Sequence, residues 1–588
     1  MLRRTRHPNT VKFLLSIDIG TTYTAASYCV FSGRDNAPTF YEINRWPKQV
    51  VGDAKVPSVL YYDRDKVPRL HGAETEDESS LMEAEQEHWE KAEWWKLRLR
   101  PEYLTFPPGF TVSPLPDGIA VDDVFKDQIA YVKENVRASV IKSFGDGEKI
   151  WDQLRSSMYV ILTTPNGWEG RHQNRMRDAA VKAGLMSAGE RSKIRFVSEG
   201  EAAIHYALGY SPSVRDGIRP GSVLLICDAG GGTTDIGIYK VRSTSPLYLE
   251  EVARPRCRIA GGVFVNEAAK KHIKHQLKGS ARLDNEECIA NALREFERTA
   301  KRMFKGSEFN SFVKVDSSGQ SDESRNIQRG RLRIPRAKMM TFFDPLIKLV
   351  TQELHDALLS SGPLVVEKII LVGGFAESEY VYSELKTWAN KKGLELAKPD
   401  GVLSKAISHG ALTWHLESGV QLRVSKMHYG AETDLDYVVQ DPEIRDRRKF
   451  QNILGQWRVR DGWNTIVSKN SRIRIGEEHA AWFHREFGQN DSFAVEMELY
   501  AYRWEEPPTF FKTKDGDLVD GFIHLGTVKA NLTQCFEAAA YRIAPSGKKY
   551  KRLEYQICLS FDEIEISARL RWKTNKSHKY GEATIAYV

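Results

Sequence analysis

The chain has 588 residues, 28% of them charged and 41% hydrophobic, with a formal net charge of +7. That length allows several domains and a large core, and so small a surplus of charge, spread over the chain, is weak evidence for nucleic acid. No run of about 18 apolar residues is present to span a membrane, and scattered cysteines at 29, 227, 257, 288, 535 and 558 argue against a disulfide framework.

Arg3, Arg4, Arg6 and Lys12 form a basic start, expected to be a disordered tail over 1–12. No apolar stretch of the secretory type follows it, so a cytoplasmic location, with the nucleus as alternative, is the expectation. Residues 13–31 predict a β-hairpin around Gly20, and 56–62 another strand. The Glu-rich run 74–95 predicts a solvated helical face, and 100–120 a Pro/Gly-rich loop. Asp122 and Asp123 open a helix whose Ile129, Val132, Val136 and Val140 share one stripe. Residues 158–164 predict a buried strand broken at Pro165-Asn166-Gly167, then a helix over 169–183 closed by Gly184. An alanine-rich helix is expected at 202–208. Residues 286–304 predict a helix anchored by Phe296, Met303 and Phe304. The polar run 316–330 predicts a mobile loop, and 368–376 a buried strand ending at a glycine turn and followed by a helix. Beyond about 420, alternating segments at 471–475, 494–500 and 561–567 predict a β-rich domain. Turn signals at Asp461-Gly462, Asp515-Gly516 and Ser546-Gly547 divide them.

One pattern occurs twice. An apolar strand ends in Asp18 or Asp228, glycine follows, then a threonine pair and a second strand. Backbone N–H groups of such a turn converge on phosphate oxygens, and glycine permits the close approach. Thr21, Thr22, Thr233 and Thr234 offer hydroxyl donors. Asp18 and Asp228, ending buried strands, would be costly carboxylates unless paired or linked to a metal. A shared Mg²⁺ held largely through its waters meets that need. Asp235, beyond the second turn, could orient a water. Two such turns facing across a cleft supply the positioning and charge neutralisation that phosphoryl transfer requires.

With LVGGF at 371–375 ending a third strand, the set resembles the actin-like ATPase superfamily, which holds actin, sugar kinases and the heat shock protein 70 chaperones. Within it the chain is most similar to the heat shock protein 70 family. The segments that carry this are DIGTTYTAAS, FVSEGEAAIHYAL, DAGGGTTDIGIYKV and LVGGFAESEYVYSEL. GGFAES, WWKLRL and the β-rich tail are similar to the divergent twelve-A branch, abundant in fungi.

The resemblance implies an α/β actin-like ATPase fold over 13–418, two-lobed with duplicated ribonuclease-H-like sheets, and a small β-rich domain over 419–588. It implies ATP or ADP with Mg²⁺ (K⁺ being a further candidate) and slow hydrolysis that switches the lobe angle. Asp18 and Asp228 would hold the metal through water. Gly20, Thr21, Thr22, Tyr23, Gly230, Gly231, Gly232 and Thr233 would line the phosphates. Lys96, Glu199 and Asp235 would place the attacking water, and Pro165 would relay nucleotide state. Glu297, Lys301, Gly373 and Gly374 would contact adenosine. Phe375 and Glu377 stand where the family has Ser and Arg, and Ser404 where it often has Asp; Phe375 could pack against the base.

Blander readings stay open for several of these. Lys96 could be an exposed helix lysine, Glu199 a capping residue, Pro165 a helix-start proline, and Glu297 with Lys301 a surface ion pair. The family's linker, helical lid and acidic tail are not visible after 419. The chain could therefore be a non-catalytic nucleotide-binding scaffold, or a small-molecule kinase on the same fold. Protein or peptide clients through the β-rich domain are one partner class; nucleic acid and membrane are not expected. His272 and His275 read as part of a basic surface helix, and Trp457 and Trp463 as β-domain core before stacking platforms.

Overall fold

The computed structural model describes residues 12–31, 38–168, 170–401, 405–417, 420–488, 494–562, 565–573 and 578–580. Residues 1–11 of the basic start, and Ser404, lie outside them. By packing, the chain divides into two compact units, 1–168 with 175–419 and 169–174 with 420–588.

The first unit is built on two mixed sheets. One runs Thr39–Glu42, Tyr23–Phe31, Lys12–Ile19, Met158–Thr164, Ile194–Ser198, with Lys55–Pro57 also paired to Tyr23–Phe31. The other contributes, from this unit, Leu247–Arg258, Thr234–Thr244, Val223–Ala229, Lys368–Val372 and Glu395–Ala397. Each sheet follows the same plan: a hairpin at the duplicated glycine turn, then a parallel neighbour on the far side of its first strand. The central strands are apolar on both faces, and Phe13, Leu15, Ile17, Leu225, Ile226 and Ile370 are fully buried, as strands covered on both sides require.

Two helices, Glu199–Tyr210 and Ala406–Glu417, pack on each other. The first lies on the second sheet and the second on the first. Their crossing is tight, because a Cβ at Gly410 would overlap the Ala202 carbonyl; only glycine permits that approach. The expected helix at 122 runs Val121–Ser143, and its Ile129, Val132, Val136 and Val140 stripe is fully buried.

Several local expectations are corrected. Residues 56–62 split into Lys55–Pro57 and Leu60–Tyr62. The acidic run is a 3₁₀ turn at Gly72–Glu76 and α-helical over Glu78–Gln86, but Glu90–Ala92 is a strand paired with Leu60–Tyr62. Met303 is 70% exposed while Phe296 and Phe304 are buried, because a π-type turn at Phe296–Ala300 rotates the helix end away from its earlier stripe. The polar run 316–330 is tied down: Asp322 and Ile327 exchange backbone hydrogen bonds, and Ile327–Gln328 pairs with Arg331–Pro335.

The second unit is a β-sandwich. One sheet runs Lys449–Gln451, Trp457–Val467, His428–Asp436, Ala494–Tyr502, Phe522–Asn531; the other runs Glu478–Phe487, Lys549–Asp562, Glu565–Lys573, His578–Tyr580. Tyr429, Val467, Leu499 and Val528 of the first meet Phe483, Leu553, Ile557 and Leu570 of the second in one core. One turn expectation and one strand expectation fail here. Asp461-Gly462 lies inside the strand Trp457–Val467, where a positive φ of 64° at Asp461 accompanies a shift of register against Thr433 and Leu435: a bulge, not a chain reversal. The run 561–567 straddles two paired strands instead of forming one. Trp463 is buried against Phe522, whereas Trp457 is 45% exposed, with the Lys449 ammonium 4.8 Å from its ring.

Candidate active site

The two glycine turns have the same internal geometry. The Gly20 N–H donates to the Tyr23 carbonyl and the Gly230 N–H to the Thr233 carbonyl, each at 2.9 Å. They oppose each other directly. A Cβ at Gly231 would overlap the Thr22 side chain, and one at Gly232 would lie 2.5 Å from Thr21 Oγ1 and 2.8 Å from Leu97 Cδ2. The carbonyls of Gly230 and Gly231 accept from the N–H groups of Gly262 and Val263, which open the helix Gly262–Leu277. Thr234 is not a free donor, since its hydroxyl donates to the Ala260 carbonyl at 2.7 Å. Tyr23 reaches across to Arg302, and burial raises its hydroxyl's pKa.

Between the turns lie four carboxylates and one buried lysine. The strands dictate this: Asp18 and Asp228 end the central strands, and Asp235 stands opposite Asp228 in the second hairpin. Glu199 opens its helix with Ser198 as N-cap. Lys96 sits in the 3₁₀ turn Trp95–Leu99, 2% exposed, and donates to Glu199 Oε1 at 2.7 Å. Its ammonium lies 5.6 Å from the Trp168 ring. Lys96 is therefore no exposed helix lysine.

Burial pushes Asp228 up to about 7, with Glu199 adding to the rise. Burial raises Glu199, against the pull of Lys96. It raises Asp235 well above the carboxylate range, reinforced by Glu199 and Asp228. Lys96 moves up: burial opposes its charge, but Glu199, Asp18 and Asp235 outweigh that. The cluster is thus short of positive charge, which a divalent cation would supply. Asp235 Oδ2 is buried without a hydrogen-bond partner, while Oδ1 accepts the Asn166 N–H at 2.5 Å. Asp18 Oδ1 accepts from Thr163 at 2.7 Å. Among the described residues no three acidic, His or Cys side chains converge to hold one ion directly. A metal at Asp18 and Asp228 would complete its shell with water and phosphate oxygens, the habit of Mg²⁺.

Farther along the cleft, Asn266 donates to Glu297 and accepts from Lys301 at 2.8 Å. Lys301 also donates to the Gly262 carbonyl at 2.8 Å. Burial lowers Lys301 to about 8 and raises Glu297, so this is no surface ion pair. Gly373 is held at φ +94°, where a Cβ would meet Asp228 and the Ala229 carbonyl. Gly374 opens onto free space. The Phe375 ring is buried, nearly parallel to Phe343 at 6.5 Å between centroids.

Thr163, Asn166, Trp168 and Asn266 escaped the sequence reading as site residues. Asn166 had a signal, because it sits in the strand break beside Pro165. Its side-chain amide donates to the carbonyls of Ile236 and Arg256 at 3.3 and 3.2 Å, tying the two sheets together. The next helix begins only at Arg171, so Pro165 is not a helix-start proline. A recess of about 330 Å³ lined by Lys133, Arg137, Trp151 and Arg155 shares no residue with this cleft.

The family profile described as Hsp70 protein matches residues 110–436. The chaperone protein DnaK of Buchnera aphidicola subsp. Schizaphis graminum is 23% identical over 441 residues, covering 71% of this chain and 63% of the relative. The chain thus spans less than two thirds of that relative's length. With the profile covering more than half of the sequence, and with the mixed α/β sheets of the actin-like ATPase fold in the first unit, the chain belongs to the Hsp70 family.

Proposed function

We propose that this protein is a slow, Mg²⁺-dependent ATPase that uses the nucleotide state of its first unit as a switch. The carrying observation is the pair of matched, opposed glycine turns around Lys96, Glu199, Asp18, Asp228 and Asp235. Gly20, Thr21, Thr22, Tyr23, Gly230, Gly231, Gly232 and Thr233 bind the phosphates through backbone N–H and hydroxyl donors. Asp18 and Asp228 would hold Mg²⁺ through water, and when bound the metal would supply neutralisation of the charge on the phosphates and on the leaving ADP. Lys96, fixed by Glu199, positions the attacking water. The unpartnered Asp235 Oδ2 orients that water and accepts its proton as the new oxygen–phosphorus bond forms; K⁺ is a second candidate for this corner. Glu297, Lys301, Gly373 and Gly374 take adenosine, with Phe375 forming the wall behind them.

The proposal extends to 13–418 as the ATPase domain, with two sheets of one ribonuclease-H-like plan, and 419–588 as a β-rich domain that takes protein or peptide clients. GGFAES and WWKLRL support the twelve-A branch, and six unpaired cysteines support a cytoplasmic or nuclear location. Phe375, in place of the family's Ser and buried on Phe343, favours as second reading a scaffold that binds nucleotide weakly and does not turn it over.

Single-turnover hydrolysis separates the two. Lys96→Ala is expected to keep ATP binding and lose about 100-fold in rate. Equal phosphate release by wild type and variant would support the scaffold, and phosphate recovered on a sugar would support a kinase.

A further inference from the structure

We propose that Trp414 is a positioning residue for Glu199, acting through the buried carboxylate of Glu201; the proposal rests on the ATPase reading above. Glu201 is fully buried in the first turn of the helix Glu199–Tyr210. Its Oε1 accepts the Trp414 indole N–H at 2.6 Å. Residues two apart on a helix point to different sides, so Glu201 faces the core while Glu199 reaches the cleft and Lys96. The same turn is held from below, where the Glu201 N–H donates to Ser198 Oγ at 3.2 Å.

Trp414 comes from the helix Ala406–Glu417, which the Gly410 crossing already sets hard against Ala202. A charge-assisted bond to a buried carboxylate is strong and directional. The bond therefore fixes the rotation of the turn that carries Glu199. A misplacement of about 1 Å at a reacting centre slows chemistry by about 100-fold, so even a partial shift of Glu199 and Lys96 is visible in rate.

The test uses the full chain with Trp414→Phe and Glu201→Leu together, which removes both ends of this bond at once, and the melting temperature is read beside the rate. Single-turnover hydrolysis is expected to slow about tenfold or more, with ATP affinity held within about twofold. In a Glu199→Gln background the same pair of changes is expected to add no further slowing, because it acts only through Glu199. Glu201→Gln keeps an acceptor for the indole and is expected to keep most of the rate. Wild-type turnover in the double variant, or additional slowing in the Glu199→Gln background, overturns the proposal. Hydrogen exchange at the amides of 200–203 reads the pinning without turnover: faster exchange in the double variant is expected, and equal exchange overturns it. A wild-type chain that binds ATP without hydrolysing it overturns the ATPase reading instead, and exchange then decides the pinning alone.

Discussion

Asp228 concentrates the conflict in this molecule. It is buried beside Glu199, which together with burial raises it to about 7, whereas an unfolded aspartate titrates near 4. Between those values the folded chain, free of metal and nucleotide, holds the extra proton. Asp228's contribution to stability is therefore complete at acid pH and is lost as pH rises through about 7. Asp228→Asn keeps the shape without the charge. It is expected to stabilise the ligand-free chain against unfolding at pH 8, by about a few kcal/mol at most, and to flatten the decline of stability between pH 5 and 7.5. A variant less stable than wild type throughout that range contradicts this account of the cluster. Two neighbouring glycines give a second contrast. Gly373→Ala forces a Cβ onto Asp228 at a positive φ and is expected to cost both folding stability and nucleotide affinity. Gly374→Ala meets nothing, so it is expected to leave the melting temperature unchanged while weakening ATP. Unchanged affinity in Gly374→Ala argues against adenosine at this turn. The places of Asp18 and Asp228 were legible because each sits at a fixed offset from glycine in a repeated motif, and that of Asp235 because it follows the second threonine pair. Thr163 and Asn266 were not, since a lone threonine in a strand and a lone asparagine in a helix announce no partner across the fold.

At the scale of elements, strands and helices with one-sided or continuous apolar patterns were predicted at their observed places: Lys12–Ile19, Val121–Ser143, Met158–Thr164, Lys368–Val372. The misses share a cause. Met303 fits a 3.6-residue stripe on paper, but the π-type turn at Phe296–Ala300 spends one extra residue and turns it outward. Asp461-Gly462 has the composition of a hairpin turn, yet its neighbours on both sides keep pairing with His428–Asp436, and the positive φ is absorbed as a bulge. Local composition cannot tell those outcomes apart, because pairing with a distant strand decides them. The two tryptophans on this strand differ accordingly. Trp463→Ala empties a buried site among Phe522, Tyr500 and Phe511 and is expected to cost the β-rich unit about 3–5 kcal/mol in denaturant unfolding. Trp457→Ala removes an exposed ring over Lys449 and is expected to cost less than about 1 kcal/mol. Equal losses at the two positions would contradict the assigned core.

For the whole molecule, the duplicated sheet plan explains why one sequence pattern located most of the cleft: both turns end the central strand of equivalent sheets, so repetition in sequence became opposition in space. The family follows from the profile over 110–436, while the proposed ATPase activity follows from the cluster the turns enclose. The most direct measurement is calorimetric titration of the full chain with ATP, with and without Mg²⁺, for wild type and Asp228→Asn. The account predicts saturable binding by wild type that Mg²⁺ strengthens, a melting temperature that rises with ligand concentration, and loss of the Mg²⁺ effect in the variant. No heat of binding at millimolar ATP, or a Mg²⁺ effect that survives Asp228→Asn, would contradict it.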